Sequence, residues 1–541
     1  MSVACVGTQG CGERRAPQQA ATPAAPRLDL SKPRLRLVAI TDLAGYLRPC
    51  GCQSRPLGGI DKAAAELAQL RAAGAPVVFV AAGDLLFGDT PEGAGSASEA
   101  QTQETWKAET VAEILHKLGL AAAAPGARDL TYSKETLSKL ASAAQLALLP
   151  AGPAAGEAPE DAASTILNAG DVKLGVVGVS TFAPPGSVLE PAREAALIKR
   201  VQAQVDAVRS QGAQLVVVLA SASQRFGRRL AGALRGADFT LLGGNADAID
   251  APPSAVGSGY LLRARSQGHG LLVVDVFARD LASQAPMADV STWSRRERDK
   301  DLQTRIDELA TRIAAWEKAK DVNAADLAEQ REKLAALRAQ LAAGASTVAD
   351  RAFDARFVEL APEVKGDTAT GARIDAYDAR VNEHNKLAFA DVLPPKAAPG
   401  EVTYVGSERC KSCHSTQFAW WTKHPHGRAY TTLVDVHKEF NLSCVACHVT
   451  GYMRPGGSSL VHNAGLVHVG CESCHGAGSK HVANPDDEPA LGMTRDVPED
   501  TCKHCHTPEH SDLFDYAKYR AKLIVPGHGL PPTAAAPAAK P

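Results

Sequence analysis

Large side chains are scarce in this chain. Aromatic residues make up only 5% of it. No stretch approaches the roughly 18 consecutive apolar residues of a membrane-spanning helix, so no transmembrane helix is expected. Charge of one sign is lacking too, with 58 Lys and Arg against 60 Asp and Glu. That balance speaks against nucleic-acid binding and against an anionic membrane surface. Apolar residues at 45% and charged residues at 22% are ordinary globular usage, which excludes wholesale disorder and a rod. At about 100–200 residues per domain, 541 residues imply several units. A chain so poor in bulk builds its cores from small aliphatics or borrows bulk from a cofactor.

Cysteine and histidine are nearly missing from residues 1–400, which hold four Cys (Cys5, Cys11, Cys50, Cys52) and three His (His116, His269, His384). Residues 401–541 hold eight Cys and thirteen His. A secretory leader needs a basic segment and an apolar run of about 7–15 residues, and residues 1–33 show neither. Gly10-Cys11 and its Pro/Ala/Gln-rich tether do resemble the lipidated cysteine and tether of a bacterial lipoprotein. The expectation is a truncated signal with a lipid anchor at Cys11. The alternative is a tail with two incidental cysteines.

Residues 34–290 alternate short β-branched runs (RLRLVAITD, VVFVAAGD, VKLGVVGVS, QLVVVLAS, FTLLGG, LLVVDVF) with helix-like segments such as 62–73 and 105–118. Continuous apolar strands alternating with helices predict α/β layering around a buried sheet. Over 295–345, Leu302, Ile306, Leu309, Ile313 and Trp316, then Leu327, Leu334, Leu337 and Leu341, predict an antiparallel helical hairpin serving as a spacer or packing arm. Residues 346–400 read as a strand, a helix and a Pro-punctuated linker. A Cys/His-rich unit spans 401–530, and 531–541 form an Ala/Pro tail.

Four CxxCH units stand in that last unit: Cys410-Cys413-His414, Cys444-Cys447-His448, Cys471-Cys474-His475 and Cys502-Cys505-His506. CxxCH is the attachment signature of haem c. Two thiols form thioethers, and the following imidazole reaches the iron as proximal ligand. Four CxxC pairs also permit two zinc ribbons or local disulfides, but neither requires a His after each second Cys. The cofactor reading is four covalently attached haem c groups that themselves form the core. Nine further histidines remain for distal ligation or surface roles: His424, His426, His437, His462, His468, His481, His504, His510 and His528.

The stretches YVGSERCKSCHSTQFAWWTKHPHGRAYTTL, CVACHVTGY, VGCESCHGAGSKHV and TCKHCHTPEHSDLFDY resemble the tetrahaem cytochrome c554 family. The resemblance covers nearly all of 403–530. It implies electron hopping between closely packed haems, most irons held by two imidazoles and one able to be five-coordinate. Within the family pattern His426 fits a distal ligand best, with His424 its rival. His481 is the second candidate, and His462, His468, His510 and His528 come after it.

Residues 35–280 are similar to the metallophosphatase domain of UshA-like 5′-nucleotidases. The resemblance rests on IleThrAsp42, LeuGlyGlyIle60, AlaAlaGlyAsp84, ValValGlyValSer180, the strand ending at Ser221 and LeuLeuGlyGly244. The family's two metals need Asp, Asn and His ligands at strand ends. Here the first motif reads Asp42-Leu-Ala44-Gly45, without its His. Asp84 stands in the bridging position. Gly126-Ala127-Arg128-Asp129 replaces the Asn-His motif, Ser221 replaces a His, and Gly244-Asn245-Ala246-Asp247 replaces Gly-His-x-His. Asp42 and Asp84 form a vestigial site, Arg128 puts a fixed cation beside it, and no divalent-metal site is expected. Cys50-Gly51-Cys52 forms a candidate thiol site, because so close a pair makes a strained disulfide.

The functional expectation is a multihaem c-type cytochrome of the bacterial periplasm or cell envelope. It would exchange electrons with redox partner proteins and carry a catalytically inactive nucleotidase-like unit. Two alternatives stand beside it. One is a metal-dependent phosphoesterase fused to a cytochrome. The other is a multihaem oxidoreductase whose one open haem acts on a small nitrogen or sulfur species.

Overall fold

The computed structural model describes residues 28–49, 55–88, 97–150, 161–182, 187–244, 250–281, 283, 285–319, 323–343, 349–486, 491–507, 510–511 and 513–524. Cys5, Cys11, Cys50, Cys52, His528 and the 245–247 segment lie outside them.

The apolar runs form strands as the sequence leads one to expect. They are β1 (Leu35–Thr41), β2 (Val77–Gly83), β3 (Leu120–Pro125), β4 (Asp161–Ala169), β5 (Val172–Ser180), β6 (Leu215–Ser221), β7 (Phe239–Gly243), β8 (Ala251–Val256), β9 (Gly259–Arg263), β10 (Gly270–Ala278), β11 (Ala288–Asp289) and β12 (Arg351–Glu359). The helices α1 (Ile60–Ala72), α2 (Ala97–Lys117), α3 (Lys134–Ala143), α4 (Pro191–Ser210), α5 (Gln224–Ala233), α6 (Thr292–Lys318), α7 (Ala324–Ala343) and α8 (Thr368–Ala388) lie between and after them.

The strands make two six-stranded sheets, ordered β11-β12-β10-β1-β2-β3 and β4-β5-β6-β7-β9-β8. Both are mixed. β1, β2 and β3 run parallel, as do β5, β6 and β7, while β10 lies antiparallel to β1 and to β12. The inner faces meet through Leu37, Val80, Val176, Val217, Leu241 and Val274. α1, α2, α3 and α8 cover the outer face of the first sheet, and α4 and α5 cover the second. Every strand residue of β1 and β6 is buried, because both faces of these sheets are covered. The result is a helix–sheet–sheet–helix sandwich, followed by a region of short helices and irregular chain.

The 346–400 segment does not stand apart as a linker. β12 pairs with β10 over nine residues, Gly270 opposite Glu359 through Ala278 opposite Arg351, so it covers an edge that β10 otherwise leaves open. Arg351, 2% exposed, reaches the other sheet through Asp238 at 2.8 Å. α8 packs on α1 and α2. The hairpin of α6 and α7 closes on Ile306, Leu309, Ile313 and Leu334, and the chain returns from it to β12. It is therefore an insertion within the α/β unit, not a segment following it. Sequence periodicity shows a helix but not which strands lie beside each other across it.

Candidate functional site

The last unit carries little regular structure. Its helices are eight residues or shorter, below the length at which isolated helices hold together in water. Polar contacts instead bring the four CxxCH units to one place. Glu472, 2% exposed, lies inside the third motif and accepts the backbone N–H groups of Val405, Gly406 and Gly478 at 3.0, 2.7 and 2.7 Å. The Cys471 N–H donates to Ser407 Oγ at 3.1 Å. The first and third motifs are thereby tied together, and the Cys410 and Cys471 thiols hydrogen-bond to each other. Cys447 and Cys505, of the second and fourth motifs, do the same. Cys474 senses Cys502 electrostatically, and burial first, then that neighbour, pushes its thiol up to about 11.

Three of the four imidazoles that follow the thiols are oriented by hydrogen bonds at Nδ1. His448 meets the Ala429 carbonyl at 2.6 Å, His475 the Thr494 carbonyl at 2.7 Å and His506 the Ser511 hydroxyl at 3.0 Å. A proton held at Nδ1 leaves the Nε2 lone pair for a metal. Phe514 stacks on the His506 ring at 4.8 Å and 11°.

Two of these rings face a second imidazole. His414 and His481 have centroids 6.4 Å apart, and His426 and His506 are 6.2 Å apart. Two imidazoles on opposite sides of one metal, with bonds of about 2 Å, put their ring centres roughly 6 Å apart. His481 Nδ1 is buried with no hydrogen-bond partner among the described residues, a cost that protein groups there do not relieve. Burial first, then His424 and His506, pushes His426 down to about 4, so it is the neutral, metal-binding form near neutral pH. Two thiols of one CxxC beside an imidazole, with a second imidazole facing it at the first and fourth motifs, are the donor set haem c takes, and the residues in place fit that group.

Of the other candidate histidines, His424, His462 and His468 have rings engaged otherwise. His424 stacks on Trp420 at 4.5 Å, and its Nδ1 accepts the His426 N–H at 3.2 Å. His462 Nε2 meets the Ala390 carbonyl at 2.6 Å. His468 Nδ1 accepts the Tyr430 N–H at 3.1 Å. That N–H belongs to the same peptide unit whose carbonyl holds His448, so His468 steadies the proximal side of the second motif. His510 sits in the turn after the fourth motif, its N–H donating to the Thr507 carbonyl at 3.1 Å. His504 meets the Asp500 carbonyl at 2.7 Å. His437 has a left-handed backbone (φ 55°) and lines a cleft of about 320 Å³ with Lys386 and Glu439. The orienting groups Ala429, Thr494 and Ser511 were not among the sequence candidates. Backbone carbonyls leave no residue-type signal, and Ser511 is an ordinary serine until it meets His506.

The carboxylates at the strand ends of the α/β unit are engaged by its own groups. Asp42 Oδ1 accepts the N–H groups of Asp84 at 3.1 Å and Gly244 at 2.7 Å. Asp84 Oδ1 accepts the Arg128 N–H at 2.9 Å, with the Arg128 guanidinium 3.7 Å from Oδ2. Gly126 is required here, because a Cβ would overlap Asp84 Oδ1. Asp129 accepts N–H groups from Leu85, Leu86 and Gly126. With a guanidinium beside Asp84 and backbone amides on all three carboxylates, these residues do not fit a pair of divalent metals.

Asp129 is raised to about 7, by burial first and then by Asp84. A raised carboxyl stabilises the fold fully below its unfolded value of about 4, and that contribution is lost as pH climbs through the folded value near 7. A carboxyl-carbon NMR titration is expected to show one aspartate of this unit with a midpoint near 7. A midpoint near 4 would remove the assignment.

The last unit thus gathers four CxxCH motifs and two facing imidazole pairs behind a helix–sheet–sheet–helix sandwich. Residues 409–476 match the family described as cytochrome c554 and c-prime. Cytochrome c-554 of Nitrosomonas europaea is 32% identical over 94 residues, which is 14% of this chain and 40% of that protein. The chain thus spans well under two thirds of that relative. Among solved structures, a 5′-nucleotidase precursor from Thermus thermophilus is 15% identical at a TM-score of 0.43, over 69% of this chain and 61% of its own. The calcineurin-like phosphoesterase YfkN from Bacillus subtilis is 14% identical at a TM-score of 0.40, over 66% and 99% respectively.

Proposed function

We propose that this chain is a tetrahaem c-type cytochrome of the bacterial cell envelope that relays electrons between redox partner proteins. Its α/β unit serves without hydrolytic activity. The observation that carries the reading is the convergence of four CxxCH motifs with two facing imidazole pairs at single-metal spacing. Haem bound at these thiols supplies an iron that cycles between two oxidation states. His414, His448, His475 and His506 would be its proximal ligands, and His481 and His426 would be second ligands at the first and fourth sites. Carbonyl and hydroxyl partners at Nδ1 fix the planes of His448, His475 and His506, and Glu472 and Ser407 tie the first and third motifs together. An envelope location follows from covalent haem attachment, which bacteria carry out beyond the cytoplasmic membrane. Among the described residues no helix is long and apolar enough to cross a membrane.

The test is pyridine-haemochrome quantitation with an EPR spectrum of the purified holoprotein, plus phosphatase assays with Mn²⁺ and Zn²⁺. Four haems per chain, predominantly low-spin, and no metal-dependent hydrolysis are expected. Fewer than four covalent haems would break the reading, and hydrolysis restored by either metal would break its second half.

A further inference from the structure

The α/β unit touches one CxxCH motif through a built, buried polar clamp. Gln103 on α2 is 2% exposed and Asn385 on α8 is 1% exposed. Gln103 Nε2 donates to Asn441 Oδ1 at 3.1 Å and to Ser443 Oγ at 3.3 Å, and its Oε1 accepts the Leu442 N–H at 3.1 Å. Asn385 Nδ2 donates to Gln103 Oε1 and to the Phe440 carbonyl, both at 2.9 Å. Asn382 Oδ1 accepts the Phe440 N–H at 2.9 Å, and Lys438 lies 3.5 Å from the buried Asp378. These partners cover residues 438–443, the turn that ends on Cys444. Below it, Ala100 of α2 and Phe389 just beyond α8 share one apolar cluster with Leu442, Val445 and Val449. Val445, fully buried, lies inside the second motif itself. The first and third motifs are instead tied to each other within the last unit.

Resting on the tetrahaem reading, we propose that the phosphatase-like unit acts as a fixed cap on the second haem site, positioning Cys444 through Gln103 and Asn385 and setting that haem's reduction potential. Both residues are positioning residues. Gln103 is hydrogen-bonded through both Nε2 and Oε1, and Asn385 donates twice through Nδ2, so turning either amide would break buried hydrogen bonds to the Cys444 turn. The cap also excludes water from one face of the site, and burial is among the levers that tune a haem potential. A sandwich whose strand-end Asp84 is engaged by Arg128 thus keeps a role through its outer helices rather than its strand ends.

The test is a spectroelectrochemical titration of the full-length holoprotein and of its Gln103→Glu and Asn385→Asp variants, with haem counted in each. Each variant keeps the side-chain shape, removes amide donors and adds a negative charge that favours the oxidised iron. Haem content is expected to match the unaltered protein. One component is expected to shift to lower potential, the same one in both variants, with the others moving less. A loaded protein whose titration is indifferent to both substitutions would overturn the cap alone. Equal shifts of all components would also overturn it, showing general loosening rather than a local clamp. Absence of covalent haem in the unaltered protein would instead overturn the tetrahaem reading and the cap with it.

Discussion

Replacing His481 by alanine is expected to turn one haem per chain from low-spin to high-spin while all four stay attached. Attachment depends on the thioethers and on His414, neither of which the substitution touches. What is lost is the ring facing His414 at 6.4 Å. An iron with one imidazole and an open opposite position is weakly liganded along its axis and takes exogenous ligands. His426→Ala should do the same at the fourth site, where the facing ring is His506 at 6.2 Å. His424→Ala is the control, since that ring stacks on Trp420 with its Nδ1 already engaged. EPR spin quantitation with cyanide titration checks all three. A high-spin signal from His424→Ala but not from His426→Ala would reverse the assignment within this pair.

Blocking covalent attachment, by changing the eight motif cysteines to serine, is expected to unfold the last unit and leave the sandwich folded. Among described residues 401–524 the buried apolar side chains are Phe418, Leu433, Leu442, Val445, Val449, Leu460 and Ala477. Helices of eight residues or fewer have no stability of their own to add. Small domains of this kind need a staple, and here the staple is the haem cluster. The sandwich has three aliphatic clusters that owe nothing to those cysteines. Limited proteolysis should therefore remove the chain beyond about residue 400 and leave a resistant fragment holding β1 to α8. Protection of the whole apo chain would refute the idea that the cofactor forms the core.

The chemistry of the last unit was legible because it is written in adjacent residues. CxxCH needs its thiols and imidazole within five positions, so the motif survives in one dimension. The sandwich was legible for a similar reason. Both faces of β1, β5 and β6 are covered, and a run such as VVVLAS announces that burial. The loss of imidazoles from the cleft could be read position by position, at Ala44, Arg128 and Ser221.

What pairs across distance was not legible. His414 and His481 are separated by the whole of the second and third motifs, and no spacing rule connects them. The choice between His424 and His426 turns on which ring the Pro425 turn directs toward His506. His468 resembles a ligand in sequence, yet it accepts the N–H of the peptide unit that holds His448. β12 reads as a strand anywhere, but only its register against β10 makes it part of the first sheet and the hairpin an insertion. Gln103 and Asn385 look like ordinary helix-surface amides until α2 and α8 are laid against the Cys444 turn. The sequence by itself determined the chemical class of the cofactor site and the layered α/β scaffold, because local bonding and burial on both faces leave marks on neighbouring residues. Tertiary structure alone decided which imidazoles face each other, which are occupied elsewhere, and which site the sandwich covers, because those depend on distances that folding sets between residues far apart in the chain.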